Sequence, residues 1–196
     1  VTSPPITLGL SGVVLSKLQG GVFVYDVREL WPDVPVRMGL FRHPLLLRFV
    51  YTLEAFVYSQ AVAISTIARS FQTTLVDRGV PKQKLYFTPN FVDVELIVPG
   101  CKENPFSREH GLKGAFVVLY AGNLGLTQGL EIIIDVAAEL VDEPSIQFLI
   151  VGDGARRSVL EQNIAASNLP NIRLLPFQPV CLVSEMYAAS DVCVAP

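Results

Sequence analysis

The residues best suited to hold an anion lie in two short turns of the second half of the chain. Residues 121–129 read AGNLGLTQG, with Asn123 and Gln128 set among Gly122, Gly125 and Gly129. Residues 151–157 read VGDGARR, with Asp153 between Gly152 and Gly154. Glycine lacks the Cβ that holds a ligand away from main-chain N–H groups, so such turns suit phosphate oxygens. Asp153 offers a carboxylate to a sugar hydroxyl or a base, or else caps the helix that follows. Arg156 and Arg157 fall in that helix's first turn, where the dipole disfavours cations; either an anion offsets the penalty or both are solvated. Neither turn is a P-loop or a G-x-G-x-x-G fingerprint. A second concentration follows a strand near the start, where Asp26, Arg28 and Glu29 precede the single tryptophan, Trp31. Those residues suit a polar site at a strand's end or a salt-bridged loop with Trp31 as its lid, and residue types alone leave both open.

Both glycine turns follow apolar runs, residues 116–121 and 146–151, of the kind parallel strands show when both faces are covered. Parallel strands share a direction, so the turns are expected on one edge of one sheet, where open α/β sheets bind ligands. The pattern continues as helix 129–141, helix 155–167, strand 172–175, helix 182–189 and strand 192–195. Alternation with short turns predicts right-handed βαβ units and a parallel sheet. The first half reads as a helix capped by Ser3 with Pro4 and Pro5 in its first turn, strand 22–27, loop 28–37 and helix 44–59. Strand 61–64, a helix capped by Ser65 and ended at Gly79, and strand 85–88 complete it. Between the halves, residues 99–114 are rich in Pro, Gly, Lys, Glu and Asn, the composition of a linker. The expected organisation is residues 1–97, a linker at 98–114, and residues 115–196.

Composition narrows the function classes. Of 196 residues, 51% are hydrophobic and 17% charged, which argues for buried cores and against disorder. A net charge of −3 with no run of Lys and Arg gives no general attraction to nucleic acid. Cys101, Cys181 and Cys193 form no C-x-x-C pair and are not spaced with His43 or His110 for a metal, so ordinary thiols in a reducing cytoplasm are expected, with no metal site. The most apolar stretch, residues 44–64, contains Arg48, Glu54 and Gln60 and is too interrupted to span a bilayer. There is no secretory signal pattern at the start. A first residue other than Met and a strand-like run at the end read as a piece of a longer protein. Helix 44–59, with Phe41, Leu45, Leu46, Leu47, Phe49, Val50, Leu53, Phe56 and Val57 beside Arg42 and Arg48, fits a helix buried between sheet and cleft or one docked on a membrane surface.

Seven segments occur in an order that resembles a known family: TSPP (2–5), VYDVRELWPD (24–33), AIST (63–66), TPNFVD (88–93), YAGNLGLTQGLE (120–131), FLIVGDG (148–154) and residues 171–196. Together they resemble the retaining glycosyltransferases of family 4, or group 1, with the GT-B fold. The similarity is to the bacterial branch building surface polysaccharide, including fucosamine, colanic-acid and O-antigen transferases. The resemblance implies α/β architecture: two Rossmann-like domains, both incomplete here, with parallel sheets flanked by helices. It implies a nucleotide-sugar donor as substrate, no cofactor, and a lipid-linked or saccharide acceptor. A cytoplasmic location follows, with possible peripheral contact at the inner membrane face.

Residue by residue, the resemblance assigns Gly122, Asn123, Gly125 and Gln128 to the donor diphosphate. Gly152, Asp153, Gly154, Pro176 and Phe177 fall near the donor base. Arg28 and Glu29 take the catalytic positions, with Asp26 and Trp31 on the acceptor side. Many relatives carry His-Asp where Arg28-Glu29 stand, and Arg and Lys where Asn123 and Gln128 stand. Neutral amides stabilise a leaving diphosphate less than cations do. The paired-glutamate motif and the glycine-rich loop of the family fall outside these residues, so the chain alone is expected to be inactive. Two other readings stand beside this one: a non-catalytic nucleotide- or protein-binding module of the same fold, and a nicotinamide-dependent oxidoreductase. The second would need G-x-G-x-x-G, which Gly122-x-x-Gly125 does not supply.

Overall fold

Alternating strand and helix produce two separate parallel sheets in the computed structural model, which describes residues 1–37, 39 and 43–195. Phe41 and Arg42, named above for membrane docking, lie outside the described residues. The chain divides into units Val1–Phe91 and Val92–Pro196.

In the first unit the sheet order is β1 (Thr2–Ser3), β2 (Val24–Val27), β3 (Ala63–Thr66) and β4 (Leu85–Phe87), all parallel. Helices α1 (Thr7–Gln19), α2 (Asp33–Arg37), α3 (Pro44–Gln60) and α4 (Arg69–Asp77) connect them. Val27, Val57, Ile64 and Leu75 are fully buried in its core. A Cβ on Gly9 would lie 2.6 Å from Val57 Cγ1, so glycine lets α1 and α3 pack closely. Two serines depart from expectation. Ser3 ends the edge strand β1 and α1 begins four residues later, while Ser65 lies inside β3 and α4 has no side-chain cap. Serine's short hydroxyl suits a helix start, but both residues are claimed by strand pairing with β2. Residues 28–37, read as loop, also contain α2. Along α3, Val50, Glu54, Val57 and Tyr58 are buried at helical spacing, while Leu45 and Phe49 are exposed.

In the second unit the order is β7 (Ile172–Leu175), β6 (Ile146–Val151), β5 (Phe116–Ala121) and β8 (Val192–Cys193), again parallel. Helices α6 (Glu131–Glu139) and α7 (Arg157–Ser167) cover one face, where Tyr120, Ile150 and Leu160 are buried. Helices α5 (Pro105–Glu109) and α8 (Val183–Ala188) cover the other, over Val117, Leu119 and Leu149. The strands are apolar at nearly every position because each face has its own core. Residues 98–114, linker-like in composition, carry α5, whose Phe106 and neighbouring Leu112 are buried in this unit. An Asn104–Ser107 capping box holds the helix start. All three cysteines are free and exposed. Among the described residues no helix is long and apolar enough to cross a membrane.

Candidate functional site

Strands β5 and β6 run side by side from Phe116↔Ile146 to Ala121↔Val151, so the two glycine turns emerge together on one edge. They also bind each other. Gly122 N–H donates to Val151 O at 3.0 Å, Leu124 N–H to Asp153 O at 2.8 Å, and Arg156 N–H to Leu124 O at 2.8 Å. A Cβ on Gly152 would lie 1.9 Å from Gly122 O, and one on Gly154 would lie 2.6 Å from Leu124 O. Both also have left-handed φ values, 151° and 154°. The glycines at 152 and 154 are therefore required by the contact between the turns.

The first turn presents amides. Leu124 is fully buried beneath it. Tyr120 donates its hydroxyl to Asn123 O at 2.7 Å, and burial pushes that hydroxyl's pKa up, keeping it a donor. Asn123 Nδ2 and Gln128 Oε1 converge on Gly125, 2.8 and 2.6 Å from where a Cβ would be. Neither α6 nor α7 has a side-chain N-cap; in α6 the Ile132 and Ile133 N–H groups donate to Gly129 O and Leu130 O, and in α7 the Arg157 N–H donates to Gly154 O.

The two arginines do neither of the things their sequence position suggests. Arg156 pairs with Glu131, a hydrogen bond that holds the Glu131 carboxyl below its usual range. Arg157 Nη1 donates to Gly152 O at 2.7 Å and Leu175 O at 3.4 Å, and its Nε meets Glu161 at 2.9 Å. Arg157 thus ties the end of β6 to the end of β7. Asp153 does not cap α7; its Oδ1 accepts from Gly154 N–H at 2.7 Å.

A cavity of about 150 Å3 opens at this edge, lined by Gly122, Gly152, Phe177, Gln178, Met186 and Tyr187 among others. It brings Gly122 and Gly152 together with Phe177, which is 71% exposed. Pro176 stands beside it and accepts from Gln178 Nε2 at 2.9 Å. Asn123, Gly125, Gln128, Asp153 and Gly154 lie outside its walls. Met186 and Tyr187 were not singled out from sequence. Their signal is the apolar spacing 183, 186, 187 on a helix that crosses to the opposite face of the sheet.

In the first unit, Asp26 Oδ1 accepts from Ser65 Oγ at 2.6 Å and Oδ2 from Arg28 Nε at 2.9 Å. Burial alone would raise the Asp26 carboxyl; the Ser65 and Arg28 hydrogen bonds outweigh it and hold the carboxyl below its usual range. Arg28 Nη1 also donates to Asn90 Oδ1 at 3.0 Å. The guanidinium is thereby oriented from two sides while remaining about half exposed, at 52%. Glu29 is exposed and lines a shallow recess with Leu30, Asp33, Val34 and Phe71. Trp31 packs partly buried against the first core. Asp26, Arg28, Ser65 and Asn90 form one cluster; Ser65 and Asn90 were missed because their partners are far away in sequence.

Sequence also gave no sign of a buried charge network in this unit. Glu54, 2% exposed, accepts from Tyr58 Oη at 2.8 Å and Arg78 Nη1 at 2.9 Å. Arg78 Nη2 donates to Asp33 at 2.5 Å, and Tyr51 Oη to Asp33 at 2.8 Å. Among the described residues no group of three His, Cys, Asp or Glu side chains converges as a metal site.

Residues 103–196 match the family model described as glycosyl transferases group 1. The chain is similar to the putative colanic acid biosynthesis glycosyl transferase WcaI of Escherichia coli, 29% identical over 171 residues, covering 84% of this chain and 42% of the relative. It is similar to the probable glycosyltransferase WbjE of Pseudomonas aeruginosa, 25% identical over 193 residues, 97% of this chain and 48% of the relative. Among solved structures, HepE of Anabaena in complex with UDP superposes with a TM-score of 0.76 at 18% identity, over 99% of this chain and 52% of that one. WaaG, a glycosyltransferase involved in lipopolysaccharide biosynthesis, gives 0.65 at 14% identity, over 88% and 50%. The chain spans about half the length of the curated relatives it matches. The shared fold is the α/β architecture of the GT-B glycosyltransferases.

Proposed function

We propose, for a chain whose second unit belongs to the group 1 glycosyltransferases, that the whole protein transfers a sugar from a nucleotide-sugar donor with retention of configuration. The observation that carries this reading is the paired edge of β5 and β6, where two interlocked glycine turns flank the cavity holding Phe177. The donor diphosphate lies over the 122–129 turn, where main-chain N–H groups and the Asn123 and Gln128 amides meet its oxygens. The base enters the cavity beside Gly152, between Phe177 and the Met186–Tyr187 wall, an apolar slot with main-chain polar groups at its rim. Arg28, held by Asp26 and Asn90, supplies positive charge toward the acceptor side, with Glu29 and Trp31 shaping it. No cofactor or metal is required.

Support for a nucleotide donor comes from HepE, solved with UDP and with UDP-glucose on the same fold. The acceptor is a saccharide or lipid-linked saccharide for surface polysaccharide, and the protein acts at the cytoplasmic side of the inner membrane. The colanic-acid relative supports the polysaccharide assignment, and the exposed Leu45 and Phe49 of α3 beside Arg48 are compatible with a peripheral membrane contact.

Calorimetry on the full-length protein with UDP and GDP tests the reading. One nucleotide is expected to bind, with affinity reduced about tenfold in Phe177→Ala, the loss of one stacked aromatic face. Binding of neither, while NAD binds, would overturn the assignment. A second reading, a non-catalytic nucleotide-binding module, is favoured by the absence of cations in the 122–129 turn. It predicts nucleotide binding without transfer to any acceptor from a labelled donor pool.

A further inference from the structure

The second unit has another polar cavity, at the sheet edge opposite the glycine turns. It is lined by residues immediately before the strands: Gly114 and Ala115 before β5, Pro144 and Ser145 before β6, and Pro170 before β7. Its volume is about 470 Å3. Strands β5 and β6 have six residues each, so this edge lies roughly 20 Å from the donor edge at the usual rise per residue.

Two cations, Lys113 and Arg173, and the neutral polar side chains Ser145 and Gln147 stand in its wall, and no carboxylate does. Arg173 belongs to β7, on the face that packs against α5 and α8 rather than on the face of Ile172. Its Nη1 donates to His110 O at 2.7 Å, just past the end of α5. Its Nε is buried and has no hydrogen-bond partner among the described residues. Lys113 is exposed and makes no ion pair among them. A buried guanidinium N–H left unpaired is costly, and native structures satisfy such groups with protein, water or ligand.

We propose that this cavity is a binding site for a small phosphate-bearing anion, separate from the donor edge. Arg173 supplies oriented N–H donors, with the His110 carbonyl fixing the plane of its fork. Lys113 supplies a mobile point charge at the mouth, and Ser145 and Gln147 supply neutral hydrogen-bonding groups. A guanidinium in the cavity wall suits a tetrahedral oxyanion, and the lack of a competing carboxylate leaves its charge for the ligand. The proposal rests on the second unit's own geometry and stands whether or not that unit binds a nucleotide sugar.

The test is titration of inorganic phosphate into 15N-labelled protein at low ionic strength, followed by amide and Arg Nε–H resonances. Shifts are expected at Gly111, Gly114 and Ser145, and, through the rest of the guanidinium, at the buried Arg173 Nε–H. Affinity should fall about tenfold in Lys113→Gln, an exposed substitution that spares the core, with Lys17→Gln, at an exposed lysine of the first unit, as an unaffected control. Arg173→Gln, checked for retained fold by circular dichroism, should abolish the shifts. Phosphate shifts confined to residues 122–129, no shifts at all, or full affinity in Lys113→Gln would each overturn the proposal.

Discussion

The carbonyl oxygen of Gly122 occupies the space a Cβ of Gly152 would need, 1.9 Å from its ideal position. That contact joins the ends of β5 and β6 into one surface, so the two turns form a single structural element. The main-chain N–H groups at this edge are positioned by it.

Gly152→Ala is therefore expected to cost at least about 2 kcal/mol of stability, because the obstruction is main chain and the φ is left-handed. Gly125→Ala is the contrast. Its Cβ would meet the far ends of Gln128 and Asn123, side chains free to swing away, so about 0.5 kcal/mol or less is expected. Urea denaturation of both variants checks the order; equal losses would show that the turns are not rigidly joined.

Arg157 supports the same edge from below by bonding the carbonyls of Gly152 and Leu175. Arg157→Gln should lower nucleotide affinity about threefold to tenfold through misplacement of the Gly152 turn, with a stability loss near 1 kcal/mol. Arg157→Lys should not restore the affinity, since one ammonium cannot reproduce the guanidinium fork. Calorimetry with the nucleotide that binds the wild type, beside urea melts, separates the two effects; unchanged affinity would leave Arg157 a purely structural strap.

In the first unit, the Ser65 hydroxyl helps hold the Asp26 carboxyl below its usual range. A depressed carboxylate adds stability above its unfolded pKa, and that contribution is lost as pH falls through the depressed folded value. Ser65→Ala should raise the Asp26 pKa toward the ordinary value, so the acid-dependent loss becomes smaller and is complete at higher pH, with about 1 kcal/mol lost at neutrality. A 13C titration of the Asp26 carboxyl reads the shift directly. No movement would mean that Arg28 alone sets the Asp26 charge.

What sequence revealed and what it hid divide along physical lines. Strands β5 and β6 were legible because six apolar residues bounded by glycine turns have few other places in an α/β fold. Their shared edge followed from parallel pairing, and with it the grouping of Gly122 and Gly152. The purpose of Gly152 and Gly154 was not legible, because a glycine that faces a ligand and one that faces another turn have the same side chain. Ser3 and Ser65 resembled helix caps because strand ends and helix starts draw on the same short polar residues. Composition marked residues 98–114 as a connector, yet Phe106 and Leu112 anchor that stretch in the second core. Glu54 and Arg78, 24 positions apart, gave no local sign that they would meet in the interior.

That pair supports a pH prediction with a definite sign. Burial pushes the Glu54 carboxyl above its usual range, while the Tyr58 hydroxyl and Arg78 guanidinium pull it back without cancelling the shift. The folded state therefore keeps a proton at Glu54 to higher pH than the unfolded chain does. The stability this group contributes is full below the ordinary glutamate pKa and declines as pH rises through the raised one. Glu54→Gln lacks that titration while preserving the side chain's shape. The stability of the wild type minus that of Glu54→Gln, from urea melts between about pH 4 and pH 7, should fall as pH rises. Glu54→Ala should instead lose about 3 kcal/mol at neutral pH, since Tyr58 and Arg78 are left with a buried gap. A wild-type advantage over Glu54→Gln that grows with pH would show that the ion pair with Arg78 outweighs the cost of burial.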